Sequence, residues 1–141
     1  MEKDKRLVGA AALAYLGDSV IEVMVRTMLV EQGFYQSRKL NRMALDYVTA
    51  SAQAKAAERI MPLLTEEECG VYHRGRNLDH ANIPKNATRA EYLMATGFEA
   101  LFGYLHLVGD RKRLEDLFHA AYPETKNQSA KGEINDEQSQ G

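Results

Sequence analysis

A single carboxylate inside a long apolar segment constrains this chain more than any other feature. Residues 13–20, Leu-Ala-Tyr-Leu-Gly-Asp-Ser-Val, lie in a stretch whose apolar positions nearly encircle a helix, and Asp18 stands in the middle. An ionised aspartate that faces an apolar interior is costly unless a base, a hydrogen-bond donor or a metal ion pairs with it. The stretch therefore predicts a buried helix that needs a partner for Asp18.

A second run of the same kind occurs late in the chain. Residues 95–104, Ala-Thr-Gly-Phe-Glu-Ala-Leu-Phe-Gly-Tyr, have an apolar helical pattern in which Glu99 is the only charge. Small residues surround both acids, and glycine inside a helix costs about 1 kcal/mol relative to alanine, so a packing or functional reason is expected. We interpret the two runs as helices that pack together, so that Asp18 and Glu99 converge on Mg²⁺, a hard cation that carboxylates suit.

The residues alone leave simpler interpretations open. Asp18 and Glu99 could be two unrelated carboxylates, each at a helix edge with its head in water. Glu22 also has two interpretations, because it stands four residues from Asp18 and four residues from Arg26. It could serve the acidic site or form an ion pair with the arginine.

Composition narrows the class of protein. A chain of 141 residues with 45% apolar residues suits one domain with a sizeable core. No apolar run is long enough to cross a membrane, and the N-terminus lacks a signal-peptide pattern. The lone cysteine, Cys69, excludes an internal disulfide and a cysteine-based metal site. We therefore predict a cytoplasmic protein with no membrane partner.

The net charge of −2 argues against a generic nucleic-acid binder, but the charges are unevenly distributed. Residues 123–141 carry four acids and two bases, which leaves 16 acids and 16 bases in the remainder. A neutral body can still carry a basic face. We predict one domain over residues 1–122 and a disordered polar tail over residues 123–141.

Helix signals divide the domain into six segments, and no strand pattern or internal repeat appears. The predicted helices cover residues 6–32, 38–48, 51–61, 66 to about 75, 89–108 and 111–121. Gly33 is expected to stop the first helix and Ser37 to cap the second. Thr65 and Thr88 are expected to open capping boxes. The predicted fold class is all-α.

Residues 75–87 are the only long irregular stretch within the predicted domain. With its flanks, from His73 to Arg89, this stretch has four bases, one acid and three asparagines. Arg and Lys contact phosphates, and Asn adds hydrogen bonds to sugars or base edges. The candidates for nucleic-acid contacts are Arg74, Arg76, Asn77, Lys85 and Asn86. A surface loop with incidental charge is the alternative, and the bases of the second and third helices are more often a solvated face.

The motifs around the two acids resemble the catalytic domain of ribonuclease III. In that family a Leu-Gly-Asp signature helix and a Glu-Ala-Leu-x-Gly helix supply the metal ligands, and the matching acids here are Asp18 and Glu99. Residues 74–77, Arg-Gly-Arg-Asn, and 84–86, Pro-Lys-Asn, narrow the resemblance to Mini-ribonuclease III, a bacterial branch without a double-stranded-RNA-binding domain. The resemblance covers about residues 7–122, with motif order and spacing in agreement.

The resemblance implies a ribonuclease III-like helical endonuclease that works as a homodimer, and we place the first and fifth helices near the dimer interface. It implies that Asp18 and Glu99 are catalytic and hold Mg²⁺. The implied substrate is double-stranded RNA in precursor large-subunit (23S) ribosomal RNA, cut to leave 5′-phosphate and 3′-hydroxyl ends. A large-subunit ribosomal protein is a further candidate partner.

Two carboxylates that are usual in the larger ribonuclease III pattern are absent from this chain. The larger ribonuclease III pattern has a Glu four residues before the signature Asp and an Asp three residues before the second Glu, where this chain has Ala14 and Thr96. Mini-ribonuclease III shares this departure, which supports the narrower resemblance. With only two carboxylates, water and substrate phosphate must supply most remaining ligands, so we expect weak Mg²⁺ binding in the absence of RNA.

Two other classes of function stay open at this stage. The chain could be an RNA- or ribosome-binding helical module without catalytic activity. It could also be a structural helical dimer whose buried acids only fix its packing. Cleavage of RNA in the presence of Mg²⁺ separates both from a nuclease.

Overall fold

The computed structural model describes residues 8–78 and 83–123, so the predicted tail beyond Pro123 lies outside the described residues. Within these ranges the chain forms six α-helices and no strand, which confirms the all-α prediction. The helices are α1 (Ala10–Glu31), α2 (Ser37–Val48), α3 (Ala50–Ile60), α4 (Glu66–Arg76), α5 (Arg89–Val108) and α6 (Arg111–Ala121). None of them has the length and apolar composition of a membrane span.

The helix ends follow the local sequence with one exception. Thr65 and Thr88 open α4 and α5 with complete capping boxes, and Gly33, at a φ of 95°, follows the end of α1 in the left-handed region. The prediction that Ser37 caps α2 is wrong, because Gln36 occupies the cap position. Gln36 is extended and its carbonyl accepts the first helical hydrogen bond, so Ser37 is already helical.

Helix α5 lies at the centre of the domain. It packs against α1, α3 and α4, while α2 and α6 cover the outside of this group. Phe98, Leu101 and Phe102 of α5 are fully buried. Burying such a side chain contributes about 1.5–3 kcal/mol, so α5 supplies a large part of the core.

Helices α1 and α5 cross with their backbones in contact. A methyl group on Gly17 would overlap the carbonyl oxygen of Glu99 and lie 2.9 Å from the amide nitrogen of Gly103. A methyl group on Gly103 would overlap the carbonyl oxygen of Leu13. Because residue 13 meets residue 103 and residue 17 meets residue 99, the two helices run antiparallel. This close approach explains why glycine is present inside both helices.

Helix α4 packs closely against the opposite side of α5, again through glycine residues. A methyl group on Gly75 would lie 2.6 Å from the Cβ atom of Ala100 and 3.0 Å from the Cα atom of Gly97. A methyl group on Gly97 would lie 2.7 Å from the ring of Tyr72. Helix α5 is therefore clamped between α1 and α4 by glycine contacts on both sides.

A buried ion pair connects α6 to the start of α4. Arg113 donates hydrogen bonds of 2.8 Å and 2.7 Å to the two carboxylate oxygens of Glu68, and a third of 2.7 Å to the carbonyl oxygen of Leu63. The Arg113 guanidinium is the largest cause that holds the pKa of Glu68 below its ordinary value. This two-pronged contact fixes the position of α6.

We expect the Gly17→Ala variant to lose about 3 kcal/mol or more of unfolding free energy, because the new methyl group meets backbone atoms that no side-chain rotation can move. Gly70→Ala is the matched control, since Gly70 is in the middle of α4 and a Cβ atom there would meet nothing within 4 Å. That change should be neutral or stabilise by up to about 1 kcal/mol. Urea unfolding followed by circular dichroism compares the two variants. A Gly17→Ala protein as stable as the wild type would contradict the crossing.

Candidate active site

The crossing of α1 and α5 brings Asp18 and Glu99 together. Gly17, the neighbour of Asp18, touches the backbone of Glu99, so both acids stand at the same point of the crossing. Asp18 is exposed and Glu99 is partly buried. Their carboxyl groups are close enough for a side-chain hydrogen bond, in which protonated Glu99 donates to Asp18.

Burial and the negative charge of Asp18 raise the pKa of Glu99 from an ordinary 4.5 to about 8. Loss of hydration is the larger cause, and the neighbouring carboxylate is the second. Within residues 8–78 and 83–123, no Lys, Arg or His forms an ion pair with either acid. At neutral pH the pair therefore favours one bound proton over a second negative charge, because no base within the described residues offsets the charge of Asp18.

The chemistry of the two donors fits a hard divalent cation. Carboxylate oxygens are the ligands that Mg²⁺ prefers, and a cation between them would replace the shared proton. The described part of the chain has no group of three or more His, Cys, Asp or Glu able to hold a metal. Asp18 and Glu99 are thus the protein ligands that this arrangement offers.

The two positions where larger ribonuclease III enzymes have acids face the interior. Ala14 and Thr96 are both buried. The hydroxyl of Thr96 donates a hydrogen bond of 2.9 Å to the carbonyl oxygen of Tyr92, one turn earlier in α5. Neither residue adds a ligand to the site.

Glu22 is engaged away from the two acids. Its carboxylate accepts a hydrogen bond of 3.1 Å from the Nε atom of Arg26, and the two form an ion pair along α1. Of its two interpretations from the sequence, the structure shows the ion pair with Arg26. Glu22 does not form a three-member group with Asp18 and Glu99.

The candidate residues for nucleic-acid contact lie at the end of α4 and before α5. All five of them are exposed: Arg74, Arg76, Asn77, Lys85 and Asn86. Helix α4 continues through Arg76, one or two residues further than the sequence predicts, and residues 79–82 of the predicted irregular stretch lie outside the described residues. The five residues therefore belong to a helix end and a turn.

The contact of Gly75 with α5 places the end of α4 relative to the acids. Gly75 touches Gly97 and Ala100, which flank Glu99 in sequence. Arg74 and Arg76 stand on either side of Gly75 and are exposed. The close packing of α4 against α5 thus holds Arg74 and Arg76 next to the part of α5 that carries Glu99.

The contact between α3 and α5 is one that the sequence does not predict. The side chain of Ser51, at the start of α3, forms a hydrogen bond with Glu91 in the first turn of α5, and Lys55 acts electrostatically on the same carboxylate. The start of α3 therefore lies against the start of α5. The start of α5 follows Lys85 and Asn86 by only a few residues. The pattern of α3 by itself favours a solvated face, while the family resemblance implies RNA contacts from bases on the middle helices. The contact with α5 is not visible in the sequence, because it joins residues far apart in the chain.

Comparison with known proteins gives consistent matches. The family model of the ribonuclease III domain matches residues 11–110. A Mini-ribonuclease 3 of Symbiobacterium thermophilum is 50% identical over 109 residues, which cover 77% of this chain and 84% of that protein. A Mini-ribonuclease 3 of Enterococcus faecalis is 43% identical over 119 residues, covering 83% and 90%. A crystal structure of a Fusobacterium nucleatum protein superposes with a TM-score of 0.74 at 28% identity, covering 82% of this chain and 93% of that one.

The raised pKa of Glu99 predicts how stability depends on pH. Between about pH 4.5 and pH 8 the folded protein binds more protons at this group than the unfolded chain does, so unfolding free energy falls as pH rises. Glu99→Gln should stabilise the metal-free protein on the order of 2 kcal/mol near pH 9, a value reduced for solvent screening, and should have little effect near pH 4.

Urea unfolding with EDTA across this pH range tests the prediction. Glu115→Gln, which removes an exposed carboxylate on α6, is the control and should leave the pH dependence unchanged. If the Glu99→Gln protein keeps the pH dependence of the wild type, the carboxyl pair is not coupled as described.

Proposed function

The chain belongs to the ribonuclease III family, in its Mini-ribonuclease III branch, and is an endoribonuclease; from this premise we propose that it cleaves double-stranded RNA with Mg²⁺ held by Asp18 and Glu99. The observation that carries the proposal is the meeting of these two carboxylates at the crossing of α1 and α5, without a basic partner among the described residues. Cleavage leaves 5′-phosphate and 3′-hydroxyl ends.

The two acids have different tasks in this reaction. When bound, Mg²⁺ supplies an activated water and offsets the negative charge that grows on the phosphate. Asp18 is exposed and so stands on the side from which RNA arrives, while Glu99 is the more buried ligand. Because its pKa is raised, Glu99 would have to lose its proton to serve as a ligand, so metal binding would be coupled to proton release. The backbone contact at Gly17 fixes the position of the Asp18 carboxyl group relative to that of Glu99.

The exposed bases near the site are suited to an RNA duplex. A-form RNA hides its base edges in a deep groove, so recognition relies on shape, phosphates and 2′-hydroxyl groups. Arg74, Arg76 and Lys85 supply phosphate contacts, and Asn77 and Asn86 supply further hydrogen bonds. Contacts of this kind give modest affinity that falls steeply with salt concentration.

An apolar face on α1 supports assembly as a homodimer. Tyr15 is 84% exposed and Val23 is 63% exposed, although both belong to the helix that carries Asp18. Beside them, α1 and α6 border a groove of about 720 Å³ whose floor includes Met24 and Phe118. Exposed apolar patches of this kind mark protein–protein contacts. A second copy covering this face gives one active site for each strand of the duplex.

Membership in the Mini-ribonuclease III branch supports a specific biological task. We place the cleavage in double-stranded regions of precursor large-subunit (23S) ribosomal RNA in the cytoplasm. A large-subunit ribosomal protein bound to that RNA is a further candidate partner.

Cleavage of a long, fully paired RNA in Mg²⁺ tests the assignment of the two acids. The wild type should cut, whereas Asp18→Asn and Glu99→Gln should bind the RNA and cut it at least about 100-fold more slowly, because each removes a ligand charge and keeps the shape. Glu66→Gln is the control, because it removes an exposed carboxylate in the first turn of α4, outside the proposed interface. If the wild type binds RNA and does not cut it, the protein is a binding module. If it neither binds nor cuts, the proposed function is wrong.

Removing the charges of Arg74, Arg76 and Lys85 together, by changes to Gln, should raise KM by roughly tenfold and lower kcat by much less. The reason is that these side chains would bind phosphates of the duplex and are not ligands of the metal. Steady-state kinetics at several RNA concentrations separate the two constants. A collapse of kcat at unchanged KM would place these residues in the chemistry instead.

A further inference from the structure

A polar groove between α2 and α3 has no role in the chemistry described above. Its volume is about 430 Å³, and its lining includes the N-cap residue Thr49 and three residues of α3, Ser51, Lys55 and Arg59. Asp46 of α2 is the only acid in the lining. The groove therefore has a net positive charge and several hydroxyl groups, which are donors suited to an oxyanion.

The groove lies at the same end of α5 as the candidate RNA-contact turn. Ser51 forms a side-chain hydrogen bond with Glu91, which follows the turn that contains Lys85. Glu91 and Glu99 are eight residues apart on α5, a rise of about 12 Å. A duplex seated on the acids with its axis along α5 would cover this rise in about four base pairs.

The cation of the groove is available for an anion. Lys55 is exposed and forms no ion pair within the described parts of the chain, although the carboxylate of Glu91 is near enough to act on it electrostatically. At the opposite end of α5, by contrast, Lys112 pairs with Asp116 at 3.6 Å and Arg113 pairs with Glu68. Positive charge without an ion-pair partner among the described residues is thus present at the end that faces the proposed path of the RNA.

The floor of the groove is rigid. The hydroxyl of Tyr122 donates a hydrogen bond of 2.7 Å to the carbonyl oxygen of Tyr47, and the two rings meet edge to face at 5.3 Å. Arg59 donates a hydrogen bond of 2.9 Å to the carbonyl oxygen of Ala121. These contacts join α2, α3 and the end of α6, so the groove exists before any ligand binds.

We propose that this groove is a phosphate subsite for the RNA backbone, with Lys55 as its cation and Thr49 as a hydroxyl donor, about four base pairs from the bond that is cut. Thr49 accepts a hydrogen bond of 3.2 Å from the amide of Ala52, which leaves its own hydroxyl hydrogen able to donate to a phosphate. The subsite rests on the proposed function. It extends the contact area of a single domain along the duplex.

The test compares Lys55→Gln, Lys55→Arg and the control Lys112→Gln, which removes an exposed lysine at the opposite end of α5. On a fully paired RNA of about twenty base pairs or more, Lys55→Gln should raise KM roughly threefold to fivefold at unchanged kcat. It should also reduce the slope of log Kd against log salt by about 0.9, the loss of one phosphate contact. Lys55→Arg should restore both values, and Lys112→Gln should leave both unchanged.

A short duplex sharpens the test. If the RNA ends within about four base pairs of the cut bond on each side, Lys55→Gln and the wild type should have the same KM. Equal values for Lys55→Gln and Lys112→Gln on the long duplex would overturn the subsite while leaving the proposed function intact. A wild type that neither binds nor cuts the duplex would overturn the proposed function itself.

Discussion

The backbone contact between Gly17 and Gly103 is the constraint on which the rest of the structure depends. Each glycine weakens its own helix by about 1 kcal/mol relative to alanine, and neither could carry a side chain without pushing α1 away from α5. Close approach lets the helices bury Leu13 and Phe102 against their neighbours. The same approach sets Asp18 beside Glu99, so the packing of the core and the geometry of the site have one cause.

Two glutamates show what distinguishes the site from ordinary packing. Glu68 is buried, accepts two hydrogen bonds from Arg113 and has a pKa below its ordinary value, with Arg113 as the first cause. Glu99 is partly buried, faces Asp18 instead of a base, and has a pKa raised to about 8, mainly by loss of hydration. The fold thus can pair a buried acid with a base and does not do so at the crossing. Such an uncompensated pair is typical of functional sites.

Local patterns predict most of the fold because helix ends and apolar stripes are encoded over a few residues. The capping boxes at Thr65 and Thr88 are predictable from the sequence. The position of Ser37 is not: the pattern makes it the cap of α2, whereas it is the first helical residue, because the sequence does not show which carbonyl accepts the first helical hydrogen bond. Small residues around Asp18 and Glu99 indicate a crossing. The contact of Ser51 with Glu91 is not predictable, because it depends on how α3 docks against α5.

Under the proposed function, the absence of acids at Ala14 and Thr96 would link metal binding to RNA binding. Both side chains are buried and neither is a carboxylate, so a metal held by Asp18 and Glu99 would complete its ligands with water and substrate phosphate. Conversely, an RNA phosphate that approaches without a cation meets the negative charge of Asp18. In the proposed mechanism the metal and the RNA would each improve the site for the other, and by linkage the two affinities would rise together. Phosphate contacts remote from the acids then matter more than they would in a site with four carboxylates, because they hold the RNA where it can complete the metal site.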